Sequence, residues 1–138
     1  MLQYLYVAIG SALGGVARWS LGGWLQRRLV DSARTGGAPA FPIGTLFVNV
    51  SGSFLLGVIL VFIARQGDDS MAMRLLLAVG FCGGYTTFSS FSADTVALVE
   101  SGATTLAALN VAASLALSFA GTFGGVILGR ALWGVPAA

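Results

Sequence analysis

GFCGGYTTFSSFS, running from Gly80 to Ser92, sets a glycine pair, two threonines and three serines where an uninterrupted apolar helix would otherwise run. Glycine lacks a Cβ and tolerates non-helical backbone, so Gly83 and Gly84 are expected to open a helix inside a membrane. Opened backbone at that depth persists only where it lines a cavity or meets a partner, which makes this stretch the expected functional centre.

The setting is a chain of 138 residues that is 57% apolar and 9% charged, with a mean hydropathy of +0.89. Those values lie far outside the range of a soluble domain and indicate an integral membrane protein. A hydrocarbon core of about 30 Å needs about 20 helical residues. Four stretches meet that length, near residues 4–25, 43–64, 75–99 and 103–129, and together they predict one all-α transmembrane domain over residues 1–138. The first has no basic residue in its leading MLQY, carries Arg18 inside its apolar run and is followed by no small-residue cleavage site, so it reads as a retained span. The lone Cys82 reads as a packed thiol.

The connectors are short: Gln26 to Phe41, with Arg27, Arg28, Asp31, Arg34 and Gly36–Gly37; Arg65 to Arg74; and Glu100 to Gly102. With four spans, one side of the membrane holds Arg65, Arg74 and Arg130 and the other Arg27, Arg28 and Arg34. Orientation normally follows an excess of Lys and Arg on the cytoplasmic side, and here there is none. Insertion in both orientations, with antiparallel pairing of two copies, is one expectation; a fixed orientation set by the first span is the other.

Spacing identifies the helix faces that meet protein. Gly10, Gly14, Arg18 and Gly22 recur every four residues, as do Asn110, Ser114 and Ser118 and then Gly121, Gly125 and Gly129. Such rows allow close helix approach and hydrogen bonds across helices, and packing alone is sufficient reason for them. In the second span Thr45, Asn49 and Ser53 stack on one face. A side-chain amide in hydrocarbon must be bonded: Asn49 either offers N–H donors to an anion or bonds a neighbouring helix. Phe88 and Phe91, three apart, share a face after the expected break. Their ring edges are electropositive and face a small anion without a basic side chain, while Thr86, Thr87, Ser89, Ser90 and Ser92 supply hydroxyl donors.

GFCGGYTTFSSFSADT, with GTLFVNVSGSFLLG in the second span and GGVARW in the first, resembles the bacterial fluoride channels of the Fluc (CrcB) family over all four spans. The resemblance implies an antiparallel, dual-topology homodimer of four-helix subunits in the bacterial inner membrane. Two pores would pass fluoride passively, exclude chloride and let cytoplasmic fluoride out down its electrochemical gradient. By position it implies that Phe88 and Phe91 contact the ion by their edges and that Asn49 is the pore amide. Thr45, Thr87, Ser90, Ser114 and Ser118 would line or support the path, and Arg18 would act in vestibule electrostatics or as an anchor rather than in conduction. The backbone carbonyls of Gly83 and Thr86 would hold a structural sodium ion at the dimer centre. The family often has Glu where this chain has Asp94, and some relatives have a bulkier aromatic in place of Asn110.

Other classes fit less well. A small multidrug-type dual-topology transporter calls for a carboxylate in the first span, and none is there. A fluoride/proton antiporter would have to use Asp94, the only acidic residue inside a proposed span, whose place near the helix end suggests snorkelling to the interface. A purely structural membrane subunit leaves the polar faces unexplained. With no His, no Lys and no clustered carboxylates, acid–base, nucleophilic and metal catalysis lack their residues. Seven arginines scattered over both sides form no basic patch for nucleic acid.

Overall fold

Long apolar runs in hydrocarbon must satisfy every backbone polar group internally, and helices are the way a single segment does so. The structure, a computed structural model, describes residues 1–30 and 39–134; Asp31, Arg34 and the Gly36–Gly37 pair lie outside them. The described residues are helical with short connections. Helix α1 is Leu2–Leu29 and α2 is Ile43–Gln66. The third stretch, Met71–Glu100, is divided into α3, residues 71–85, and α4, Phe88–Glu100; α5 is Thr104–Trp133.

Three of these stretches, Ile43–Gln66, Met71–Glu100 and Thr104–Trp133, are long and apolar enough to cross a membrane, which makes this a multi-pass membrane protein. At 28 residues α1 is about 42 Å long, ample for a crossing, but Arg18 and its glycines make it the least apolar of the four.

The small-residue rows are where helices touch. Gly10 and Gly14 of α1 lie on the backbone of α3: a Cβ at Gly14 would collide with the Phe81 carbonyl and come within 2.8 Å of the Tyr85 nitrogen. Gly121 and Gly125 of α5 do the same against Val50 and Phe54 of α2, and Gly129 sits against the Val61 side chain. The fold is therefore two close helix pairs, α1 with α3 and α2 with α5, with α1 and α2 also meeting where Gly22 faces Gly44.

The helix breaks, but not where the glycines suggested. Gly83 is helical, with φ −64° and ψ −35°. The extended residues are Thr86, at φ −86° and ψ 158°, and Thr87, at φ −153° and ψ 115°. Gly80 and Gly84 serve close approach instead, since a Cβ on either would sit 2.9 Å from the Cα of Gly10 or Ser11 in α1. Threonine accepts extended backbone readily because its β-branched side chain crowds a helix. Both threonines also cap what they interrupt: Thr86 directs its N–H and its hydroxyl to the Cys82 carbonyl, each at 2.9 Å, and Thr87 Oγ1 accepts the Ser90 N–H at 3.1 Å. Ahead of the break, Arg74–Cys82 is wound as a π-helix, a rare form that is frequent at functional sites.

A matched pair of substitutions tests this packing. Gly14→Ala must push α1 off α3 and is expected to lower stability by about 1–3 kcal/mol, the usual cost of overpacking. Gly15→Ala, which would meet nothing within 4 Å, should leave thermal unfolding in detergent unchanged.

Candidate functional site

At the break, α3 ends and α4 begins within one long apolar stretch, and the backbone groups freed there need partners. Asn49 of α2 supplies them for Thr87. Its Nδ2 donates to the Thr87 carbonyl at 3.0 Å, and its Oδ1 accepts the Thr87 N–H at 2.7 Å. One side-chain amide thus takes the Thr87 N–H that a continuous helix would have bonded to the Gly83 carbonyl, and adds a second donor to the Thr87 carbonyl, which as the cap of α4 already accepts that helix's first bond. Of the two alternatives open for Asn49, the bond to a neighbouring element is made, and it uses one of the two Nδ2 protons, leaving the other for a ligand.

Two clefts flank this clamp, and Thr87 lines both. The smaller, of about 340 Å³, is lined by Asn49, Ser53, Thr86, Thr87, Phe88 and Phe91, with Ser114, Ser118 and Thr122 from α5 and the apolar Leu56, Leu115 and Phe119. No charged residue lines it. The rings of Phe88 and Phe91 lie 5.4 Å apart at 50°, a tilted pair. Phe91 is 9% exposed and Phe88 77%, so one ring is anchored while the other projects from the subunit. The first turn of α4 begins here, with Thr87 as its cap, and a helix N-terminus carries partial positive charge.

The larger cleft, of about 680 Å³, gathers Arg18, Thr45, Thr87, Ser90 and Asp94 between α1, α2 and α4, with Trp19 and Gln26 toward its mouth. Asp94 does not snorkel outward: its Oδ2 accepts the Thr45 hydroxyl at 2.6 Å. That bond commits the only proton of Thr45, which is therefore a carboxylate partner rather than a free donor. Ser90 is likewise tied to the cap of α4, its Oγ accepting from Thr87 Oγ1 at 3.1 Å. The half-buried Arg18 opens into this cleft and brings positive charge to its wall.

The expected residues thus divide between two chambers. Asn49, Phe88, Phe91, Ser114 and Ser118 gather in the uncharged one, Thr45, Ser90 and Arg18 in the charged one, and Thr87 stands between. Thr122 was not anticipated, although it continues the four-residue spacing of Ser114 and Ser118. Nor was the support behind the phenylalanines. Asn110, 1% exposed, donates from Nδ2 to Thr95 Oγ1 at 2.8 Å, and Thr95 donates to the Phe91 carbonyl at 2.7 Å, tying α4 to α5. Among the described residues no buried side-chain nitrogen or oxygen lacks a partner, as a lipid-embedded structure requires. Gly83, by contrast, faces open space, with nothing within 4 Å of where its Cβ would be.

The clamp makes a prediction that needs no functional assay. Asn49→Leu keeps the shape and strands the Thr87 N–H, at about 1–3 kcal/mol for a buried group left unsatisfied. Amide exchange at Thr87, followed in lipid, should quicken by at least about tenfold, a change of ~1.4 kcal/mol in local opening.

Comparison with known proteins gives a consistent answer. A sequence profile described as "CrcB-like protein, Camphor Resistance (CrcB)" matches residues 5–126. Proteins named fluoride-specific ion channel FluC are similar over nearly the whole chain. The one from Agrobacterium fabrum is 47% identical over 133 residues, covering 96% of this chain and 100% of its own. The one from Rhizobium etli is 44% identical over 132 residues, covering 96% and 99%. The one from Coxiella burnetii is 42% identical over 132 residues, covering 95% and 100%. With a profile match over most of its length and relatives aligned almost end to end, the chain belongs to the CrcB family.

Proposed function

We propose that this chain is a passive, fluoride-selective channel of the bacterial inner membrane, built as an antiparallel homodimer in which α1 is each subunit's fourth crossing. The observation that carries this reading is the uncharged chamber, where Asn49, Ser114 and Ser118 face the tilted Phe88–Phe91 pair at the N-terminus of α4. Fluoride holds its hydration shell tightly, so a selective path must replace water with many donors at close range without binding too firmly for release. The spare Asn49 proton, serine hydroxyls, ring edges and the positive end of α4 form such a set of weak sites. A full positive charge in the chamber would hold the anion; Arg18 stands in the other cleft, where it attracts anions to the mouth without trapping them.

Two copies are required because Phe88 leaves the subunit 77% exposed, so its side of the path needs another surface. Two broken helices crossing at a shared centre give two pores related by symmetry. Balanced arginines on the two faces suit insertion in both orientations. Hydrogen fluoride crosses membranes uncharged and dissociates in a near-neutral cytoplasm; a negative-inside potential then drives the anion out through a passive pore. No carboxylate lines the uncharged chamber, so nothing there couples the anion to a proton.

A structural sodium ion fits the opposite side of the break. The Thr87 N–H, which in a continuous helix would bond the Gly83 carbonyl, is given to Asn49 instead. Carbonyls released at the end of α3, those of Gly83 and Thr86 among them, are hard oxygen donors, and Gly83 faces open space. The ion would offset aligned carbonyl dipoles at the dimer centre and hold the two copies together.

In liposomes loaded with potassium fluoride and read with a fluoride electrode, wild type is expected to empty quickly while a chloride load is retained. Phe88→Ile, Phe91→Ile and Asn49→Ala should each slow efflux by about tenfold or more, the cost of losing ~1.4 kcal/mol of ion stabilisation. Unchanged rates in all three would contradict the site assignment, and retention of fluoride by wild type would contradict the channel. Dimers purified without sodium should lose conduction and dissociate more readily in detergent, and sodium should restore both.

A further inference from the structure

Three consecutive residues at the break are each seated on α2. Thr87 is held by Asn49; the Thr86 methyl occupies the space left by Gly52, where a Cβ would collide with it and lie 2.9 Å from the Tyr85 ring. The third contact is polar. Tyr85 OH lies 3.0 Å from Ser51 Oγ, and Ser51 gives its own proton to the Phe47 carbonyl at 2.7 Å, so Tyr85 is the donor. The Tyr85 ring is 6% exposed and stacked on Phe81, with centroids 5.7 Å apart at 15°. Phenylalanine would fill that volume equally well, so the hydroxyl serves the bond to Ser51.

We propose that Tyr85 is a positioning residue for the conduction path. Successive helical residues are about 100° apart, so Asn49 and Ser51 lie on well-separated faces of α2. Gripped by Asn49 alone, the end of α3 could pivot about α2; gripped from a second side through Ser51, it cannot. The Tyr85–Ser51 bond therefore fixes the level at which α3 ends, brings Thr87 opposite Asn49 and aims α4 at the Phe88–Phe91 chamber. The inference rests on the channel reading, while the geometry that it concerns can be tested apart from it.

The experiment compares Tyr85→Phe, Ser51→Ala, the double variant and Ser51→Thr, which keeps the hydroxyl. Fluoride and chloride efflux are measured in liposomes and expressed per reconstituted dimer. Tyr85→Phe and Ser51→Ala should each slow fluoride about fivefold, the factor that one ordinary buried hydrogen bond is worth, and raise the chloride-to-fluoride ratio. The double variant should be no slower than either single one, and Ser51→Thr should match wild type. A role in stability alone would lower the yield of folded dimer and leave the per-dimer ratio unmoved. An unchanged rate and ratio in Tyr85→Phe, or losses that multiply in the double variant, would overturn the proposal. Should wild type itself pass no fluoride, the channel reading fails, and Thr87 amide exchange decides this one: faster exchange in Tyr85→Phe supports it and unchanged exchange overturns it.

Discussion

In lipid a broken helix needs partners for the backbone groups it releases, and in this protein the reciprocal pair of hydrogen bonds between Asn49 and Thr87 meets that need at the residue that caps α4. The rest of the site follows from it. The pair sets the break at Thr86–Thr87, lets α3 end with free carbonyls and lets α4 begin with a capped, positively polarised first turn. It also places Thr87 between the two clefts, so that one residue separates the chamber with arginine and aspartate from the chamber with neither.

Charge is kept in the larger cleft and out of the smaller one. Arg18 and Asp94 share the larger cleft, and Asp94 is drawn inward by Thr45. Beside the uncharged chamber one ring, Phe91, is anchored and the other, Phe88, is exposed.

Much of this was legible in the sequence because membrane chains obey few rules. Apolar length located the helices, with α2 starting at the expected Ile43. The glycine rows of α1 and α5 pointed to helix contacts, since small residues in lipid have few other uses. The position of the break was not legible. Gly83 and Gly84 drew attention because glycine frees the backbone, yet α3 lies so close to α1 that Gly84 is needed for clearance, and the opening falls on the threonines that can cap it. Asn49, Thr45 and Asp94 share the same difficulty. Spacing shows that a polar group lies on a face, while its partner, 38 residues away for Asn49 and 49 for Thr45, is fixed by tertiary packing. The Asn110–Thr95 support of Phe91 was hidden for the same reason.

Solid-state NMR of the protein in bilayers would test the central claim most directly, through the backbone carbon shifts of Thr86 and Thr87, which separate extended from helical residues. The account predicts extended shifts at both threonines and helical shifts at Gly83 and Gly84, in keeping with ψ values of 158° and 115° at the break. Helical shifts continuing through Thr87 would mean that Asn49 clamps nothing, and the description of the site would be wrong.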